Sequence, residues 1–126
     1  MTAKKKVLVV DDESPIADMI AQFCESYGFE SMTVNSGENV VELCKTWKPD
    51  LITMDLKMPE PSGNEVVEAL KADSETKKIP IIVISSYAGA EEASQALQHS
   101  EAVIPKPLTM KVLEEQMGAI FRTAKT

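Results

Sequence analysis

The sequence predicts an open α/β domain built on a parallel sheet, and three observations predict it. Five strand-like runs alternate with five segments of helical period, the pattern of repeated βα units. The 126 residues are one domain's worth and suffice to bury a single core. Polar residues capable of chemistry follow the apolar runs: Asp11 and Asp12 after Val7–Val10, Asp55 after Leu51–Met54, Ser85 and Ser86 after Ile81–Ile84, and Lys106 one proline beyond Val103–Ile104. On parallel strands these groups converge at the carboxyl edge of the sheet. There, at a topological switch point, such sheets bind ligands.

After the first run, Ser14 is expected to cap a helix with Pro15 at its first position. Ile16, Met19, Ile20, Phe23, Cys24 and Tyr27 recur at helical spacing, and Gly28 ends the helix. A second strand is expected over about Glu30–Val34. Ser36 is then read as the cap of a helix with Val40, Leu43, Cys44 and Trp47 on one stripe, closed by Pro49. The third strand runs up to Asp55. A loop with two prolines, Lys57–Ser62, leads to Gly63 and a helix with Val66, Ala69 and Leu70 inward. The polar stretch Ala72–Lys78 and Pro80 precede the fourth strand. The fourth helix, about Ala90–Gln98, has a thin inner face of alanines and Leu97, so a loosely held element is expected there. A short fifth strand, Ala102–Ile104, and a helix from about Thr109 to Phe121 with Leu113, Met117 and Ile120 on one stripe complete the chain. No repeat, low-complexity tract or linker interrupts it, and one domain over 1–126 with an ordered core of about 5–122 is expected.

Apolar residues make up 44% and charged residues 26%, ordinary for a water-soluble globular domain. A net charge of -7 argues against direct nucleic-acid binding, because a phosphate backbone would be repelled. No apolar stretch approaches the roughly 20 residues of a membrane span, so no membrane insertion is expected. Lys4-Lys5-Lys6 is followed by only four apolar residues and two aspartates, which is not a signal sequence. The expected compartment is the cytoplasm. Cys24 and Cys44 lie on helical stripes and belong to no metal-binding pattern; they read as small buried hydrophobes. His99 has no companion for a metal or catalytic pair and reads as a surface residue.

Three carboxylates gathered at one edge repel one another, and a bound cation resolves the conflict. Magnesium takes one or two protein carboxylates and keeps other positions for water or a phosphoryl oxygen. Asp55 is the candidate nucleophile, since aspartate can carry a phosphoryl group as an acyl phosphate. Lys106 offers positive charge and Ser85 a hydrogen-bond donor to the transferring group. Taken alone, Asp11-Asp12 would read as a helix cap and its neighbour, and Lys106 as a solvated residue. Their shared edge gives them meaning.

With Asp11-Asp12-Glu13, Asp55-Leu-Lys-Met58-Pro59, Gly63, Ser85-Ser86 and Lys106-Pro107 in order along nearly the whole chain, the sequence resembles the receiver domain of two-component response regulators. The resemblance implies a flavodoxin-like (βα)5 doubly wound sheet of five parallel strands in order 2-1-3-4-5. It implies that Asp55 accepts a phosphoryl group from a sensor histidine kinase or a histidine phosphotransfer protein, with Mg2+ (or Mn2+) as cofactor. Asp12, Asp55 and the backbone carbonyl of Lys57 would ligate the ion, and Asp11 would reach it through water. Ser85 and Lys106 would contact the phosphoryl group and signal its presence to a partner surface on the fourth helix, fifth strand and fifth helix. A downstream protein target, a cis Lys106-Pro107 peptide, and a monomeric or weakly dimeric state complete the expectation. Such a chain is a signalling phosphoacceptor that assists its own phosphorylation and dephosphorylation; it is not otherwise an enzyme.

Four departures stand out. Val103 occupies the position of the family's usual aromatic switch; the segment between Ser85 and Lys106 is one residue short, with His99-Ser100-Glu101 before the last strand; Pro105 removes a backbone donor; and serine replaces the commoner threonine at position 85. Lys57 and Tyr87 sit at the rim, long enough to crowd an attacking water and prolong the phosphorylated state. Among other readings, an aspartyl-phosphate hydrolase would carry a second acid where Lys57 stands. A flavin-binding domain would replace Asp11-Asp12-Glu13 with a Ser/Thr/Gly-rich loop. A degenerate receiver, acting as a phosphorylation-independent interaction module, is the remaining alternative.

Overall fold

A computed structural model describes residues 5–85, 100, 102–105 and 109–124. The strands are β1 (Lys6–Val10), β2 (Glu30–Val34), β3 (Leu51–Met54), β4 (Ile81–Ser85) and β5 (Ala102–Pro105). All pair in parallel, in the order β2-β1-β3-β4-β5. This is the order that the family resemblance implied. The helices are α1 (Ser14–Ser26), α2 (Val40–Trp47), α3 (Gly63–Ala72) and α4 (Met110–Ala124). The expected helix at 90–98 lies outside the described residues, so α4 is the helix that the sequence places fifth.

Successive side chains on a strand point to opposite faces, and the core divides accordingly. Leu8, Val10, Ile52, Met54, Ile81 and Val83 pack on one face against Val40 and Cys44 of α2 and Val66, Val67 and Leu70 of α3. Val7, Val9, Leu51, Ile82, Ile84, Ala102 and Ile104 pack on the other against Ala17, Ile20 and Cys24 of α1 and Leu113 and Met117 of α4. Each fully buried Val, Leu or Ile contributes about 1.5–3 kcal/mol. Burial on both faces explains why the inner strands β1, β3 and β4 read as nearly continuous apolar runs, while the edge strand β2 is only partly buried and mixes polar residues. Among the described residues, no helix is long and apolar enough to cross a membrane.

Local details correct several expectations. Helix α1 starts one residue early: Glu13 occupies the N-cap in extended conformation, makes no side-chain cap, and leaves Ser14 as the first helical residue. Its buried stripe is Ala17, Ile20 and Cys24, while Met19 is exposed and so is Tyr27, which lies past the helix end. Gly28, at φ +88°, ends the helix as expected. Ser36 does not cap α2. Its Oγ accepts from Glu38 N at 3.1 Å within the loop, and Asn39, at φ 61°, precedes the helix. In α3, Val67 turns inward where Ala69 was expected; Ala69 is exposed. A capping box between Ser62 and Glu65 starts that helix. Tyr27 Oη donates to Glu114 Oε2 at 2.6 Å, tying the end of α1 to α4.

Candidate functional site

The carboxyl ends of β1 and β3 lie side by side because Val10 pairs with Met54 in register. One residue further, Asp55 N donates to Val10 O at 2.9 Å, and Asp11 N donates to Val34 O at 3.1 Å. Both aspartates therefore leave the sheet at one edge, fixed by backbone bonds to neighbouring strands. Each is 2% exposed. Asp11 Oδ1 accepts from Glu13 N at 2.9 Å, a local turn that starts the chain into α1. Asp55 Oδ1 accepts from Lys57 N at 3.2 Å in the same way.

Carboxylate oxygens of Asp11, Asp12, Glu13 and Asp55 lie within 4.8 Å of one another. Asp12 and Glu13 are exposed and the other two buried, so the cluster opens to solvent on one side. Four carboxylates at that spacing, two of them buried, form a compact acidic pocket that a cation can bridge. The all-oxygen donor set suits a hard ion such as Mg2+ or Mn2+ and not the softer, nitrogen- or sulfur-seeking metals. The residues present thus fit the ion that the resemblance implies.

Asp11, Asp12 and Asp55 are brought together as expected from the sequence. Glu13 joins them and was not among the expected ligands; its place directly after two acids was the available signal. Ser85 ends β4 at the same edge, its backbone opposite Pro105. Lys106, Tyr87, His99 and the Lys106-Pro107 bond lie outside the described residues. The cis peptide among the described residues is Glu60-Pro61, in the loop after Asp55. Val103 is half-buried and packs on the core shared by α2 and α3.

Close packing at α3 holds the loop after Asp55. Gly63 N donates to Leu56 O at 3.1 Å. A Cβ on Gly63 would collide with the Asp55 carbonyl oxygen and stand 2.6 Å from Leu56 Cα. Glycine is what lets the helix start press on the backbone beside Asp55.

Residues 7–117 match the response regulator receiver domain family. The chain is 34% identical over 119 residues to the phosphate regulon transcriptional regulatory protein PhoB of Pseudomonas aeruginosa, covering 94% of this chain and 52% of that protein. It is 34% identical over 107 residues to the polar-differentiation response regulator DivK of Brucella ovis, covering 84% of this chain and 87% of that one. Among solved structures, a CheY-like receiver domain protein from Methanospirillum hungatei superimposes with a TM-score of 0.90 at 23% identity, covering 98% of each chain. The chemotaxis protein CheY4 of Vibrio cholerae gives 0.85 at 25% identity, covering 93% of this chain and 98% of its own. The chain spans about half the length of the first of these relatives and most of the second.

Proposed function

The chain belongs to the response regulator receiver domain family of two-component signalling, and from that membership we propose that it accepts a phosphoryl group on Asp55 from a phosphohistidine. The observation that carries this reading is the buried Asp55 carboxylate, within 4.8 Å of three further acids at the carboxyl edge of the sheet. An Asp55 carboxylate oxygen attacks phosphorus, the phosphorus–nitrogen bond of the donor breaks, and the electron pair returns to the donor imidazole. The product is an acyl phosphate on Asp55 and a free histidine.

Asp11, Asp12, Asp55 and the Lys57 carbonyl would hold a divalent cation. Bound there, it supplies positive charge for the phosphoryl oxygens. The chain's own contribution is positioning. The backbone bonds at Asp11 and Asp55 and the Gly63 contact hold the acids before the donor arrives, so little reorganisation accompanies transfer. Ser85 and Lys106 are proposed to meet the phosphoryl group, and spontaneous loss of phosphate from Asp55 resets the domain.

Phosphorylation adds about -2 of charge, and it acts by biasing a bistable surface element. The segment 90–98, β5 and α4 are proposed as that surface, read by a downstream protein target. At the aromatic position of related domains this chain carries Val103, so the relay is proposed to run through aliphatic packing.

Intact mass after incubation with acetyl phosphate tests the assignment. The expected result is a gain of one phosphoryl group that needs Mg2+ and is lost in Asp55→Asn. A gain that persists in Asp55→Asn would overturn it.

A further inference from the structure

The loop between β2 and α2, residues 35–39, contributes nothing to the acid cluster, yet it touches both loops that carry it. Beyond the last paired residues of β1 and β2, Val10 and Val34, the Asn35 side chain takes over. Asn35 Nδ2 donates to the Asp11 carbonyl oxygen at 2.9 Å, while Asp11 N donates to Val34 O. The backbone of Asp11 is thereby held on both sides by consecutive residues of one neighbouring segment. Two positions on, Gly37 is buried against the other loop. A Cβ there would stand 2.9 Å from the Pro61 carbonyl oxygen, 3.1 Å from Pro61 Cγ and 2.6 Å from Val66 Cγ2. Pro61 lies in the loop between Asp55 and α3, the loop whose far end Gly63 presses onto the Asp55 backbone.

We infer that the β2–α2 loop is a strut that sets the separation of the two acid-bearing loops, with Asn35 and Gly37 as positioning residues for a divalent cation. The inference rests on the reading of the acidic cluster as a cation site. Groups that orient metal ligands from outside govern affinity strongly, and a site loosened by about 1 Å binds poorly. Asn35 suits this role because its removal separates affinity from stability. Asn35 is exposed and its bond to the Asp11 carbonyl is only partly buried, so once the amide is cut back water can enter at that carbonyl with little effect on folding. Water cannot replace the tether. Gly37 is the opposite case, since any side chain there must displace Val66 and the Pro61 backbone or the β2–α2 loop itself, and so change the spacing of the two loops.

Manganese binding to the whole chain, read by the electron paramagnetic resonance of free Mn2+, tests the strut directly. Wild type, Asn35→Ala, Gly37→Ala and Ser36→Ala are compared, together with the melting temperature of each without metal. Asn35→Ala is expected to weaken Mn2+ binding by about threefold to tenfold with the metal-free melting temperature within about 2 °C of wild type. Gly37→Ala is expected to lose more affinity and some stability. Ser36→Ala removes only the loop's internal bond to Glu38 N and is expected to bind as wild type does. Unchanged affinity in Asn35→Ala, or an equal loss in Ser36→Ala, would overturn the inference while leaving the cation site standing. A wild-type chain that binds no Mn2+ would overturn the cation site itself, and the strut with it.

Discussion

Two residues before Asp55, Thr53 is 1% exposed, and its hydroxyl has no hydrogen-bond partner among the described residues. In register it sits between Val9 and Ile82, and alternation turns it to the face that α1 and α4 cover. An unsatisfied buried hydroxyl costs about 1–3 kcal/mol, and valine has the same shape without it. Thr53→Val is therefore expected to raise the unfolding free energy by about 1 kcal/mol in urea titrations with an unchanged slope. A loss of stability would show that the hydroxyl has a partner. The two cysteines, read from the sequence as buried hydrophobes, are buried. Burial pushes the Cys24 thiol up to about 12, with Glu25 adding to it, and the Cys44 thiol up to about 11. Asp11, Asp12 and Asp55 were legible as site residues because acids after apolar runs are conspicuous. Asn35 was not legible. Nothing in its neighbours says that its amide meets a carbonyl 24 positions away.

At the scale of elements, the inner strands were the most legible because burial on both faces leaves β-branched and apolar runs with sharp ends. Helix faces were less so. The α1 stripe included Met19 and Tyr27 by spacing, yet the small Ala17 is what approaches the sheet, and packing distance is not written in periodicity. Caps were not legible: Ser14 and Ser36 were expected to cap α1 and α2 and do not, while the box of Ser62 and Glu65 that starts α3 was not expected. Helix α2 is also tied to the turn after α3, where Lys45 Nζ lies 2.8 Å from Asp73 Oδ2 and 3.9 Å from Glu75 Oε2. The Lys45 hydrogen bond, with help from Glu75 N, holds the Asp73 carboxyl below its ordinary value. A lowered folded-state value means that the stabilisation is complete above the ordinary carboxylate range. It is lost as pH falls through the lowered value. Wild type is accordingly expected to melt above Asp73→Asn at neutral pH, with the gap closing below pH ~4 and shrinking in high salt. A gap that persists undiminished into acid would remove the ion pair from the account.

For the whole molecule, the alternation of strands and helices made a parallel sheet legible, but not the order of its strands. That order followed from a family resemblance and is the one observed. It puts β1 and β3 side by side at the centre, so Asp11 and Asp55, 44 positions apart in the chain, leave the sheet as neighbours. The separation of their loops, held by Asn35, Gly37 and Gly63, arises from contacts between segments distant in sequence and could not be read from any one of them. The central claim is that Asp55, alone among the four clustered acids, carries the phosphoryl group. Borohydride reduction tests it most directly, since it converts an aspartyl phosphate to homoserine, which peptide mass mapping then locates. After treatment with acetyl phosphate and Mg2+, the account predicts homoserine at position 55 and unaltered Asp11, Asp12 and Glu13. Reduction at any of those three, with Asp55 intact, would contradict it.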